Sequence, residues 1–260
     1  MTTLATTVGD TLVLAERSVK RIARQPDLWT TFTVQPIMFV LLFAYVFGGA
    51  IDVPSQYGDY KDFLMPGIIV QAMSFAGFVT ALSIAEDMQR GLIDRFRSLP
   101  MSRIAVLSGR TLADVATNVV QLAIMVATGL IVGFTFSSTP VEVVAGLALA
   151  LLIGYSFSWV FAFIGLTVST PEAANAFGFV IIFPLTFLSS AFVPPETLPE
   201  PLKTFAIDIN PFSYMVDAVR ALFLGTPAGN DVWITVLWCV GLIAAFSTLS
   251  VARYRRSVAS

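Results

Sequence analysis

Four polar residues in one apolar stretch are the first candidates for chemistry. Arg110, Asp114, Asn118 and Gln121 are spaced four, four and three apart, which puts all of them on one face of a helix. Ionisable and amide groups at membrane depth turn towards the interior of a bundle. Such a stripe serves either as a proton relay or as a set of hydrogen bonds between helices, and hydrogen bonding is the commoner use. Arg110 and Asp114, one turn apart, are expected to pair. Asp114 lies near one end of its stretch, away from mid-span where a proton-coupled carrier would want its acid. Further along, Asp217 and Arg220 are three apart and also placed to pair. Glu172, directly after Pro171, is expected to cap the helix that starts there.

The residues needed for most enzymatic chemistry are missing. The chain has no histidine, hence neither the commonest general base nor the commonest metal ligand. The carboxylate pairs Glu86–Asp87 and Glu196/Glu200 therefore have no imidazole to complete a metal or hydrolytic site. Cys239 is the single cysteine; set among Leu237, Trp238, Val240 and Gly241, it reads as a passive residue of an apolar segment. The three lysines follow Val19, Tyr60 and Leu202, never glycine, so the chain has no GxxxxGK(S/T) phosphate loop. A net charge of -2 argues against a nucleic-acid partner, which calls for an overall basic balance. The expectation is a protein with no catalytic residue, no metal and no cofactor of its own.

Composition identifies the solvent. Of 260 residues 56% are hydrophobic and 12% charged, against about 25% charged in an ordinary soluble chain. An all-α integral membrane protein follows, with membrane lipid as its surroundings. Six apolar stretches, at about 30–50, 63–85, 112–134, 143–168, 173–192 and 232–252, each reach the ~20 residues that cross a bilayer. Ahead of them, residues 10–25 read as an interfacial helix: Leu12, Ala15, Val19 and Ile22 recur at helical spacing, the opposite face is basic, and Pro26 ends it. With the N-terminus in the cytoplasm, the cytoplasmic segments hold twelve of the fifteen lysines and arginines. The positive-inside rule therefore places both termini in the cytoplasm of a cell-membrane protein.

Two connections are more than linkers. In the loop at 86–103, Leu92, Ile93, Phe96 and Leu99 share one helical face and Pro100 ends the turn, which makes a short amphipathic helix suited to a partner's groove. In the stretch 193–225, four prolines break the chain and a short helical piece follows around Leu202 to Ile209. Asn210 (N-cap), Pro211 (first turn) and Gly225 (stop) then bracket a helix of roughly 14 residues, about 21 Å long. It is too short to span and too apolar to be a free loop, so a re-entrant hairpin buried against protein is expected.

These features resemble the permease subunits of the ABC type-2 export family, and within it daunorubicin-resistance-type bacterial permeases. The residues that carry the likeness are Leu185, Leu188, Ser189 and Ala191, then Leu198-Pro199, then Pro211-Phe212-x-Tyr214 and Arg220. Glu86, Gly91 and Pro100 resemble the frame of that family's coupling loop. The resemblance covers essentially the whole chain and implies one transmembrane domain, residues 1–260. It implies an exporter of hydrophobic or amphipathic cargo (drug, lipid or glycoconjugate). ATP and Mg would sit on a separate ATPase, in two copies, docked on Glu86, Gly91, Leu92, Ile93, Phe96, Leu99 and Pro100. A second permease, as homodimer or homologue, would complete the assembly. Cargo would pass along the second and fifth spans, here carrying Gln71, Phe75 and Phe78, then Asn175, Phe179, Phe183 and Phe187. Pro211, Tyr214, Asp217 and Arg220 would serve a structural or gating role. The rival reading is a proton-coupled carrier or channel that acts without an ATPase.

Overall fold

The computed structural model describes residues 26–47, 51, 53–89, 103–168 and 170–256. The expected interfacial helix at 10–25 and the loop residues Gly91, Leu92, Ile93, Phe96, Leu99 and Pro100 lie outside them. The described residues are mostly helical, and none of them is in a strand, as an apolar chain with no water to satisfy its backbone requires. In chain order the helices are α1 (Pro26–Leu42), α2 (Tyr60–Ala76), α3 (Phe78–Gln89), α4 (Arg103–Val132), α5 (Pro140–Thr167), α6 (Pro171–Phe187), α7 (Glu200–Thr204), α8 (Pro211–Leu224) and α9 (Asp231–Arg256). Two of these run on into short π-helical turns, α1 into Phe43–Phe47 and α7 into Phe205–Ile209.

Four helical stretches are long and apolar enough to cross a membrane: Tyr60–Gln89, Leu107–Val132, Pro140–Thr167 and Asp231–Tyr254. Val34–Val46 and Pro171–Phe187 are shorter apolar helices. The stretch expected at 173–192 is thus shorter as a helix, and the reason is local. Asn210 donates its side-chain amide to the carbonyls of Leu185 and Leu188, at 2.7 and 2.8 Å. Those carbonyls belong to the last turn of α6, where no further helical N–H is available. The chain turns away there instead of continuing to residue 192.

The centre of the bundle is α5, which packs against α2, α3, α4, α8 and α9. It is apolar around its whole circumference, as a helix surrounded by others should be. Its start is strongly marked: Thr139 and Glu142 form a reciprocal capping box and Pro140 occupies the first turn. Small residues let its neighbours approach. At Gly165 an added Cβ would lie 2.6 Å from the carbonyl oxygen of Ala81 on α3, so only glycine permits that crossing.

The short helix α8 closes one end of the bundle. Asn210 is its N-cap and accepts from the Phe212 N–H at 3.0 Å, Pro211 follows, and Gly225 ends it in the left-handed conformation at φ 70°. Its apolar side is buried against α2, α5 and α9. Phe212, Met215, Val219 and Phe223 are all fully enclosed. This is the burial against protein that a short apolar helix needs. The ends of α3, α4, α5 and α9 that lie away from α8 form the far end, where Ile84, Leu107, Trp159, Leu166 and Tyr254 make a second, smaller core.

Candidate functional site

At the α8 end the geometry centres on Arg220, which is 1% exposed. Its Nε donates to the carbonyl of Phe63 at 3.0 Å, one terminal nitrogen donates to the carbonyl of Ser190 at 2.6 Å, and the other donates to Asp217 Oδ1. The Ser190 hydroxyl donates to the same Oδ1 at 2.8 Å. The guanidinium carbon lies 3.8 Å from the centre of the Phe63 ring and 5.5 Å from that of Tyr57, within the range of cation–π attraction. Burial of a charge is tolerated here because the fork is satisfied on all sides. The expected Asp217–Arg220 pair is present. Ser190, Phe63 and Tyr57 are its unforeseen members. Tyr214 lies nearby, its hydroxyl donating to the carbonyl of Asp208 at 3.3 Å. Tyr214, Asp217 and Arg220 line a cavity of about 210 Å³.

Between α1, α2, α3, α4 and α6 lies a second, open cavity of about 140 Å³. The structure brings five of the seven residues of the expected cargo path to its wall: Gln71, Phe75, Phe78, Asn175 and Phe179. The rings of Phe75 and Phe78 lie 5.4 and 6.1 Å from that of Phe179, at tilted and edge-on angles that aromatic pairs favour. Phe183 and Phe187 are not part of this wall. They stack on each other at 4.3 Å, one to two turns further along α6, and Phe187 continues to Phe192 at 4.9 Å. Gln35 of α1 and Gln121 of α4 complete the cavity. Gln121 belongs to the polar stripe of α4, and Gln35 is an amide in an apolar run beside Pro36. That isolation was the available signal for Gln35.

The polar stripe of α4 bonds to a neighbouring helix, the commoner of the two uses expected of it. Arg110 pairs with Asp87 of α3, at 3.0 Å. Asp114, 2% exposed, receives the Thr80 hydroxyl of α3, which lies 2.8 and 2.6 Å from its two oxygens. The stripe therefore works between helices, stitching α3 to α4 on either side of residues 90–102. Glu86, in the last turn of α3, is half-buried. Glu172 is not a cap: Thr170 is the N-cap of α6, its hydroxyl accepting from the Ala173 N–H at 3.2 Å. Glu172 stands in the first turn.

The chemistry of these clusters is binding and fastening. Among the described residues no group of histidine, cysteine, aspartate or glutamate is placed to hold a metal. Comparison with known proteins agrees with a transport fold. Residues 10–224 match the ABC-2 type transporter family. The chain is 35% identical to the daunorubicin resistance ABC transporter permease protein DrrB1 of Streptomyces coeruleorubidus, over 96% of this chain and 88% of that one. It is 24% identical to the "Probable doxorubicin resistance ABC transporter permease protein DrrC" of Mycobacterium tuberculosis, over 96% of this chain and 90% of the relative. With a match across most of its length and long apolar helices packed around α5, the chain is a multi-pass membrane protein that belongs to the ABC-2 type transporter family.

Proposed function

We propose that this chain is the membrane-spanning subunit of an ATP-binding-cassette exporter. It moves hydrophobic or amphipathic molecules out of the cytoplasm or inner leaflet, and a separate ATPase supplies the energy. The observation that carries this reading is the similarity to a daunorubicin resistance ABC transporter permease over 96% of the chain. The sequence supports the division of labour, because it contains no phosphate-binding loop. On this reading α1 and α6 join the four long helices as spans, α8 is re-entrant on the extracytoplasmic side, and both termini are cytoplasmic. Two permeases and two ATPases make the working unit, with ATP and Mg on the ATPases.

The route for force follows from the stitching described above. The loop of residues 86–103 carries Leu92, Ile93, Phe96 and Leu99 for docking on the ATPase. It leaves α3 and enters α4, and the Arg110–Asp87 pair and the Asp114–Thr80 bond tie those two helices together. A push on the loop therefore moves α3 and α4 as one body. Phe78 of α3 and Gln121 of α4 both stand in the wall of the 140 Å³ cavity, so that motion reshapes it. Closure of the ATPases would bias the bundle between two arrangements.

The test is ATPase activity in proteoliposomes, with this chain co-purified with its candidate ATPase subunit. The parent is compared with a Phe96→Ala, Leu99→Ala double variant. The expected result is a complex whose ATPase rate responds to hydrophobic compounds, with assembly or response lost in the variant. Transport or conduction by the chain alone, with no ATPase bound, would replace this reading with a carrier or channel.

A further inference from the structure

On the α8 side of the 140 Å³ cavity, the space between α1 and α6 is crossed by a stack of rings. Phe183 meets Phe187 at 4.3 Å, Phe187 meets Phe192 at 4.9 Å, Phe192 meets Phe43 at 4.7 Å and Phe43 meets Phe39 at 6.0 Å. All four pairs lie between 18° and 31° of parallel. Phe39 also stands in the cavity wall, so the stack starts at the cavity and leads away from it. The backbone of α1 packs on α2 and α4, and that of α6 on α3 and α5. The rings therefore bridge two helices that are each held by other neighbours.

The two sides of this seam are not equally free. Phe192 is 3% exposed, and its carbonyl accepts the buried Tyr60 hydroxyl at 3.0 Å. The residue before it, Ala191, lies so close to Gly67 of α2 that no Cβ would fit between them. The Phe192 ring is therefore fixed to α2. Phe43 stands across the seam on the π-helical turn that ends α1, beyond Pro36. Prolines and π-helical turns are where helices bend. Stacked rings hold by buried area and ring electrostatics, so no hydrogen bond has to be exchanged when they part. From this we propose that the Phe43–Phe192 contact is a latch. Seated, it shuts the cavity off from the α8 side; it opens when the end of α1 beyond Pro36 moves off the fixed ring. The Arg220 junction, by contrast, is fastened by directed bonds to Phe63 and Ser190 and stays closed. Placing the α8 side outside the cell rests on the exporter reading, whereas the latch itself does not.

The test is labelling of a cysteine placed in the cavity wall, Phe75→Cys, by a membrane-impermeant maleimide. Sealed membrane vesicles are prepared in both orientations, hold this chain with its candidate ATPase subunit, and are washed free of nucleotide. In a parallel sample Glu200→Cys on α7, where the side chain is 81% exposed, shows which orientation presents the α8 side. From that side Phe75→Cys should label slowly while the latch is intact. Adding Phe43→Ala or Phe192→Ala should speed the labelling at least about tenfold, the shift expected when one good aromatic pair is lost. From the opposite side the rate should not change. Phe43→Leu keeps the apolar bulk without the ring and should also label faster, which covers the case in which alanine impairs folding. Phe183→Ala removes only an end ring and should stay within about twofold of the parent. The native Cys239 is fully buried and should remain unlabelled in every folded variant. Rapid labelling of Phe75→Cys from the α8 side with all rings present overturns the latch. So does an unchanged rate in a folded Phe43→Ala, Phe192→Ala double variant. Labelling of Glu200→Cys in inverted vesicles would refute the exporter orientation alone, and the latch would then be judged from that side.

Discussion

Arg220 donates its Nε–H to the carbonyl of Phe63, 157 residues earlier in the chain, and covers the ring of that same residue. The other two arms of the guanidinium reach Ser190 and Asp217. One side chain thus joins the start of α2, the segment after α6 and the short helix α8. Arginine suits this position because its planar fork makes several bonds in fixed directions, where an ammonium makes a point contact. The consequence is that α8 cannot lift away from α2 and the post-α6 segment without breaking the arms to Phe63 and Ser190.

Replacing Arg220 should therefore cost more than replacing its acidic partner. Arg220→Leu strands the carbonyls of Phe63 and Ser190, a loss of about 2–4 kcal/mol from two buried acceptors left without donors. Arg220→Lys keeps the charge but not the geometry and should fall between Arg220→Leu and the parent. Asp217→Asn should lose less than Arg220→Leu, since the Asp217 side chain is 35% exposed and an amide oxygen still accepts from Ser190 and from the guanidinium, which keeps its two carbonyl partners. Thermal unfolding in detergent, followed by tryptophan fluorescence, gives the order. A lysine variant that melts with the parent would remove the case for the fork.

Much of α8 was legible in the sequence because its signals are local. Asn210, Pro211 and Gly225 each act within one turn of where they stand, and the helix begins and ends where they dictate. The hydrophobic stretches were legible for the same reason. The pairing of Arg110 with Asp87 was not, because spacing along one helix says nothing about which residues the neighbouring helix presents. Ser190 and Thr80 were missed for a related reason: a hydroxyl in an apolar run looks neutral until a charge from elsewhere in the chain meets it. Of the expected cargo path, Phe183 and Phe187 fall outside the cavity wall. They share a ring type and a helix with Phe179, but α6 carries them further towards the α8 end.

A close backbone approach gives the second prediction. A Cβ added at Gly67 of α2 would stand 2.2 Å from the carbonyl oxygen of Ala191. The obstacle is backbone and cannot swing aside. Gly67→Ala should thus destabilise by about 1–3 kcal/mol or more, as overpacking does, and Ala191→Gly in the same chain should not relieve it. Gly241 on α9 provides the contrast, with nothing within 4 Å of its added Cβ. There the same change should be neutral or stabilising by up to about 1 kcal/mol, from helix propensity. Equal melting temperatures for the two variants would contradict the tight crossing of α2 beneath Ala191.

The last prediction separates the loss of a bond from the stranding of a charge. Thr80 gives its hydroxyl to Asp114, whose carboxylate is 2% exposed. Thr80→Val removes the donor, keeps the shape and leaves the carboxylate buried, at a cost of about 1.5–3 kcal/mol. Asp114→Asn keeps an acceptor for the same hydroxyl and should cost less than about 1 kcal/mol. When both polar partners go, the stranded group goes with them. A Thr80→Val, Asp114→Leu double variant should accordingly be more stable than Thr80→Val alone. If the proposed coupling to an ATPase holds and α3 and α4 transmit force as one body through this contact, Thr80→Val should also lower the ATPase rate of the reconstituted complex while leaving complex assembly intact. A double variant less stable than the sum of its single changes would mean that Asp114 is held chiefly by partners other than Thr80.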